Sequence, residues 1–152
     1  MTTEPILMLL TLAVPPERAY EAFVAGFGNW WPVDTHSLSR LPQTSCAIEA
    51  RVGGRVYEIA PDGVEHAWGA VERLEAGRLL RFTWHPGREK ESAQWIELRF
   101  AANGEGAAIV SLRHGGWEAL GEIAPMLRAE YVPGWKHVFK ERYAAYVLAL
   151  RH

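Results

Sequence analysis

Six histidines and one cysteine are the side chains here with the widest chemical range: His36, His66, His85, His114, His137 and His152, with Cys46. A structural or catalytic transition metal needs three or four such ligands converging, and helical ligand pairs sit at i, i+4, as in H-E-x-x-H. No histidine pair has that spacing. Cys46 has no base beside it in sequence and reads as a small buried hydrophobe rather than a nucleophile. No Ser-His-Asp arrangement, phosphate loop or paired-carboxylate motif can be assigned. Glu72 and Glu97 read as solvated face residues. His114 keeps two roles open. One is a polar residue hydrogen-bonded to Gln94 or a backbone carbonyl. The other is a ligand contact or proton shuttle, since free imidazole titrates near physiological pH.

The seven tryptophans are the second chemical resource. Aromatic rings dominate cores by the area they bury, and they also line sites for flat or apolar ligands. Which role applies depends on the elements that carry them.

Those elements follow from hydrophobic period and turn residues. Residues 6–13 form a buried strand, stopped by Pro15-Pro16. Pro is tolerated in a first helical turn, and Ala19, Tyr20, Phe23 and Val24 recur at helical spacing. Gly26 and Gly28 break that helix. Phe27, Trp30 and Trp31 form a second short one before Pro32. Residues 33–44 have no period and read as a loop. Strands over 47–52 and 55–60 flank Gly53-Gly54, a hairpin signal. A Gly-Gly turn pairs Ile48 with Ile59 and Ala50 with Tyr57, and sets Glu49 against Glu58 on the other face. Like charges directly opposite are tolerable in water. Tyr57 is therefore expected to face inward, the alternative being that both glutamates line a polar pocket.

Two further strands, 64–75 and 78–85, meet at Ala76-Gly77. Leu80, Phe82 and Trp84 alternate with Arg81, Thr83 and His85. The last hairpin joins 94–101 to 107–114. Ile96, Leu98 and Phe100 must share a face with Ala108, Val110 and Leu112, so the loop has an odd number of residues. A loop of 103–105 satisfies this and sets His114 opposite Gln94. Trp95, Glu97 and Arg99 then face outward. By the same parity His85 and His114 point to opposite sides. Residues 118–130 are helical or turn-like, and a helix runs from about Tyr131 to Leu150. Trp135, Val138, Phe139, Arg142, Tyr146 and Leu150 fall near one of its faces. Arg142 either snorkels outward over its buried stem or pairs with an inward Glu or a ligand carboxylate.

Bulk properties narrow the function classes. Apolar residues make up 49% and charged residues 22% of 152, and the net charge is −2. These values fit one domain spanning 1–152 with a core that needs no staples. There is no basic run, so nucleic-acid binding lacks its electrostatic footprint. The apolar run over 6–14 is too short to span a bilayer and no basic residue precedes it, which argues against membrane insertion and against a signal peptide. The single cysteine suits a reducing, cytoplasmic setting.

Strand, two short helices, six strands and a long helix make an antiparallel α+β domain. That order resembles the START-like (SRPBCC) superfamily with its helix-grip fold, and within it the Hsp90-ATPase-activator-homologue-like group. The marks are Val14-Pro15-Pro16-Glu17-Arg18-Ala19-Tyr20-Glu21-Ala22-Phe23, Gly53-Gly54, Gly69-Ala70-Val71, Arg78-Leu79-Leu80-Arg81-Phe82-Thr83-Trp84, Leu112-Arg113-His114-Gly115-Gly116-Trp117 and Gly134-Trp135. The resemblance implies a seven-stranded curved antiparallel sheet wrapped around a long C-terminal helix, with two short helices after strand 1. It also implies a cavity between sheet and helix, capped by the short-helix region. Strand parity and helical phase place Tyr57, Phe82, Trp84, His114 and Trp135 on its walls, with Trp30 and Trp31 at its mouth. The expected partner is a small hydrophobic or aromatic molecule, with no cofactor. The superfamily also holds polyketide cyclases and aromatases, lipid carriers, hormone receptors, ring-hydroxylase subunits and a co-chaperone domain, and fold analogy alone does not choose among them. Two rivals to simple binding follow. One is a cyclase/aromatase-type enzyme using His114 or Tyr57 as acid or base. The other is an interaction module, including a homodimer, using the outer sheet face around Trp95.

The ligand spacing yields one direct expectation. Elemental analysis of the protein after gel filtration should show no stoichiometric transition metal. About one zinc or iron per chain would contradict it.

Overall fold

The computed structural model describes residues 2–150; His152 lies outside the described residues. Seven strands form one antiparallel sheet in the order β1-β7-β6-β5-β4-β3-β2. They are β1 (Ile6–Leu12), β2 (Ser45–Ile48), β3 (Arg55–Ile59), β4 (Glu65–Glu75), β5 (Leu79–Trp84), β6 (Gln94–Ala102) and β7 (Ala108–Gly115). Two short helices, α1 (Pro16–Val24) and α2 (Phe27–Trp30), follow β1. After β7 come 3₁₀ turns over Trp117–Ile123, then α3 (Ala124–Trp135), a π-helical stretch (Lys136–Tyr143) and α4 (Ala144–Ala149). The last three form one long C-terminal helix across the concave side of the sheet. This is the helix-grip arrangement.

Alternation along the strands decides what the sheet offers to the helix. In β5, Leu80, Phe82 and Trp84 are buried, while Arg81 and Thr83 on the other face are half-buried. In β6, Ile96, Leu98 and Phe100 pack inward. Trp95 on the outer face lies under the guanidinium of Arg81, 4.5 Å from its ring centroid. Glu97 is also on that face. It is only 5% exposed because Arg81 and Arg99 close over it, at 3.3 and 2.7 Å. The solvated reading of Glu97 is thus corrected: its charge is held by two arginines rather than by water.

Both hairpin registers differ from expectation, with different consequences. The last loop runs from Asn103 to Ala107, pairing Ala102 with Ala108, and His114 lies opposite Ile96 rather than Gln94. Gly104 and Gly106 both adopt positive φ (77° and 72°), which lets a five-residue loop close where three residues were expected. The slip is two residues, so every side chain keeps its face. In the first hairpin β2 ends at Ile48, which pairs with Val56, and Cys46 pairs with Glu58. Gly53 and Gly54 do not form a two-residue turn. Their backbones exchange hydrogen bonds with Val71 of β4, at 2.8 Å each. The register therefore moves by three, an odd number, and the faces invert. Tyr57 lies half-buried on the outer side under Arg55, 4.0 Å from its ring centroid, and Glu58 is fully buried inside.

The C-terminal helix buries Trp135, Val138, Phe139, Tyr143 and Val147. Four of these recur every four residues, which an α-helix of 3.6 residues per turn would let drift around its axis. The i→i+5 pattern of the π stretch takes more residues per turn and holds them in line. The same widening corrects the expected stripe. Tyr143 points inward, its hydroxyl donating to the carbonyl of Ala19 at 2.6 Å. Arg142 is exposed and donates from Nε to the carbonyl of Trp30 at 3.2 Å. Gly69 is required by close approach: a Cβ there would strike the Thr83 carbonyl of β5.

Leu98 is fully buried at the centre of the sheet. Leu98→Ala should cost ~2–5 kcal/mol of unfolding free energy, read from urea denaturation. A loss within about 0.5 kcal/mol, the range of surface changes, would contradict its placement.

Candidate binding cleft

An open cleft of about 430 Å³ lies between the 33–44 loop, the ends of β4 and β5, and the C-terminal helix. Four indoles form its base: Trp31 after α2, Trp68 of β4, Trp84 of β5 and Trp135 of α3. Trp31 lies 5.5, 5.8 and 5.9 Å from Trp68, Trp84 and Trp135 between ring centroids, and Trp84 lies 5.6 Å from Trp68. These spacings are within the range for favourable aromatic pairs. All four are at least 94% buried, so the rings are packed on one side and offer limited area to the cleft.

The sequence-predicted residues divide into two groups. Trp31, Trp84 and Trp135 line the cleft. Trp30, Phe82, His114 and Tyr57 do not. Trp30 sits behind Trp31 in a core cluster with Phe23, Phe27 and Tyr143, its N–H donating to the Ala22 carbonyl at 3.0 Å. Phe82 lies behind Trp84, with centroids 5.9 Å apart. Tyr57 is on the opposite side of the sheet.

His114 is walled off by Trp117, Tyr131 and Trp135. The Trp135 indole donates to its Nδ1 at 3.0 Å, so Nδ1 carries no proton. Its Nε2–H then donates to Gln94 Oε1 at 3.3 Å, and Gln94 Nε2 donates to the Ser92 carbonyl at 2.7 Å. Burial, with a smaller contribution from the Arg128 charge, lowers the imidazole pKa to about 3. His114 is a neutral structural bridge behind the cleft. Of its two open roles, the bond to Gln94 is the one present.

Sequence reasoning missed the groups that shape the other wall. Glu58 accepts three hydrogen bonds: from the Leu38 N–H at 2.6 Å, the Ser39 N–H at 3.1 Å and the Trp68 indole at 2.8 Å. Burial raises its pKa, but these donors outweigh it and the net shift is downward. The 33–44 loop is thereby fixed to the inner sheet face. Within it Trp31 donates to the His36 carbonyl at 2.7 Å, and His36 Nδ1 pairs with the Thr35 hydroxyl at 2.7 Å. Tyr131 was also missed, although it stands one helical turn before Trp135. Cys46 lies across from Glu58, and burial, then the Glu58 charge, pushes its thiol up to about 12. It is no thiolate nucleophile. His36 and His137 face each other at 5.8 Å, while His137 pairs with Glu141. Among the described residues no three His, Cys, Asp or Glu side chains gather as a metal site, and no helix is long and apolar enough to cross a membrane.

The family model described as Activator of Hsp90 ATPase homolog 1-like protein matches residues 13–147. The chain belongs to this family. Among solved structures, the anthrahydroquino-gamma-pyrone synthase Txn09, complexed with SUM, is 26% identical over 96% of this chain and 99% of its own, with a TM-score of 0.62. A Chromobacterium violaceum protein is 24% identical over 95% and 97%, with a TM-score of 0.63. The self-sacrificing resistance protein CalC from Micromonospora echinospora is 19% identical over 95% and 94%, with a TM-score of 0.68. The last two establish the fold alone. Curated protein sequences contain no match.

Two buried titratable groups beside the cleft, His114 and Glu58, make stability fall in acid. The folded pKa of His114 lies below its ordinary 6.5. Its contribution is complete above that value and lost as pH falls toward about 3. Glu58 is also lowered, so its contribution is present above its ordinary 4.5 and lost below it. The urea midpoint should therefore decline from pH 7 to pH 4. Glu58→Gln should cost about 2 kcal/mol at pH 7, because donors to a charged acceptor lose their better partner. An unchanged midpoint for Glu58→Gln at pH 7 would contradict the anchoring role.

Proposed function

We propose that the chain binds a small hydrophobic or aromatic molecule in the cleft between the sheet and the C-terminal helix. The observation that carries this is the convergence of four indoles on one opening of about 430 Å³. That volume is typical of small-molecule sites, as is a mostly apolar wall with a few polar groups. The 26% identity to Txn09, whose structure was determined as a complex, supports the same use of the fold. A lone buried thiol is compatible with the reducing, cytoplasmic setting included in the proposal.

A second reading, a polyketide cyclase/aromatase-like enzyme, is favoured by the synthase name that Txn09 carries. Its proposed acid–base groups do not support it. His114 is neutral and enclosed, and Tyr57 lies on the outer face. Catalysis by proton transfer needs a group within hydrogen-bond reach of the substrate. The interaction-module reading, with a homodimer as one form, would use the outer face. There Trp95 is covered by Arg81 and Arg113, at 4.5 and 5.6 Å, rather than offered as an apolar patch.

Titration with 1-anilinonaphthalene-8-sulfonate separates these surfaces. The dye should quench intrinsic tryptophan emission. Trp84→Ala and Trp135→Ala should each weaken its binding about twofold to thirteenfold, the worth of one aromatic pair, about 0.5–1.5 kcal/mol. Trp95→Ala should leave it unchanged. Each variant is first required to melt cooperatively. Binding lost in Trp95→Ala and retained in the other two would move the ligand surface to the outer face.

A further inference from the structure

The four cleft indoles share a property that narrows what the cleft can hold. Every indole N–H is already used inside the protein. Trp31 donates to the His36 carbonyl at 2.7 Å, Trp68 to Glu58 at 2.8 Å, Trp84 to the Tyr131 hydroxyl at 2.9 Å and Trp135 to His114 at 3.0 Å. A ligand therefore meets ring faces and edges, and no indole donor. The other polar side chains on the wall are also committed or peripheral. Thr35 and Ser37 direct their hydroxyls to the carbonyls of Pro32 and Val33, at 3.4 and 2.5 Å. His36 pairs Nδ1 with Thr35, whose O–H is given to Pro32, so Nδ1 carries the proton and Nε2 is left as an acceptor rather than a donor. Arg40 and Glu130 are exposed on the rim.

Tyr131 is different. Its oxygen accepts from Trp84, and its own O–H has no acceptor among the described residues. A phenol whose oxygen already accepts a hydrogen bond becomes a better donor through polarisation. Burial raises its pKa, so it stays protonated.

We propose that the Tyr131 hydroxyl is the specificity-determining donor of this cleft, selecting flat aromatic ligands that carry a hydrogen-bond acceptor, a carbonyl or an oxyanion, at the Trp84 end. The inference deepens the binding role proposed above and rests on it. In the free cleft, water satisfies the O–H. An acceptor-bearing ligand replaces that water with an equivalent bond. A hydrocarbon of the same shape displaces the water and leaves the donor unpaired, which costs affinity.

The test uses two probes of nearly one shape, 2-acetylnaphthalene and 2-ethylnaphthalene, with binding read by tryptophan quenching. The parent should prefer the ketone by about fivefold, the worth of one neutral hydrogen bond. The ketone is the less hydrophobic of the two, so partition alone would favour the hydrocarbon. Tyr131→Phe removes the hydroxyl but frees the neighbouring Trp84 N–H as a substitute donor. The double variant Tyr131→Phe/Trp84→Phe removes both and should lose the preference, while Trp84→Phe alone should keep it. Equal binding of the two probes by the parent overturns the inference and leaves the binding role standing. So does a preference that survives in a cooperatively melting double variant. If neither probe binds the parent, the cleft is not the ligand site and both proposals fall. The parent comparison decides without any variant, so a double variant that does not fold leaves the inference testable.

Discussion

Burying a carboxylate away from water costs several kcal/mol unless donors replace its hydration. At Glu58 two backbone N–H groups and one indole do so. The cleft depends on this exchange. Residues 33–44 have no hydrophobic period and form no strand that could dock them by ladder bonds. Their attachment is instead the pair of N–H groups at Leu38 and Ser39, gathered by one side chain on β3. The third donor, Trp68, is fixed by the same carboxylate, so one group orients an indole of the base and holds the opposite wall. Remove the charge and both walls lose a common reference point.

The helical wall is positioned by a different device. A regular α-helix from Ala124 to Ala149 would carry its apolar stripe around its axis and turn part of it away from the sheet. The π stretch keeps Trp135, Phe139, Tyr143 and Val147 aligned. Tyr143 then ties the helix to α1 through the Ala19 carbonyl, and Trp135 ties it to β7 through His114. These two bonds lie at the two ends of the π stretch, Trp135 just before it and Tyr143 as its last residue. They hold the helix at the distance that leaves an opening beside Trp135 and a filled core beside Tyr143.

Much of this was legible in the residues, because it depends on parity and punctuation. The strands and both short helices lie close to where alternation and proline or glycine place them. The faces of β5, β6 and β7 follow from period two alone. Parity survives an even slip, so the longer last loop left Leu98 and Trp95 on their expected sides. The first hairpin shows the limit of the same logic. Gly53-Gly54 looks like a turn, but its backbone serves β4 through Val71, and the odd slip inverted Tyr57 and Glu58. A like-charge argument placed both glutamates in water, or as the alternative in one polar pocket. The odd slip instead separates them, with Glu49 outside against Arg55 and Glu58 inside. Like-charge repulsion alone does not show that one would meet three donors from a loop and a tryptophan distant in sequence. Arg142 failed for a related reason: helical phase was counted at 3.6 residues per turn across a stretch that does not keep it. Tyr131 was within reach, since it lies four residues before Trp135 on the same helix.

The two walls of the cleft are consequently unlike in kind. On the sheet and helix side, rings are packed from behind. Trp84 has Phe82 behind it, Trp31 has Trp30, and Trp135 is held by His114, itself locked as a neutral Nε2–H tautomer by donors and acceptors in sequence. None of these rings can turn without leaving a buried N–H unpaired, and that penalty fixes their planes. The facing wall is backbone and the polar side chains of Thr35, His36 and Ser37, with Leu38 and Arg40 exposed at its edge. Shape complementarity to a flat ligand therefore belongs to the first wall. Its chemistry is limited to π faces and one phenol, because every indole N–H has been used to hold the wall in place.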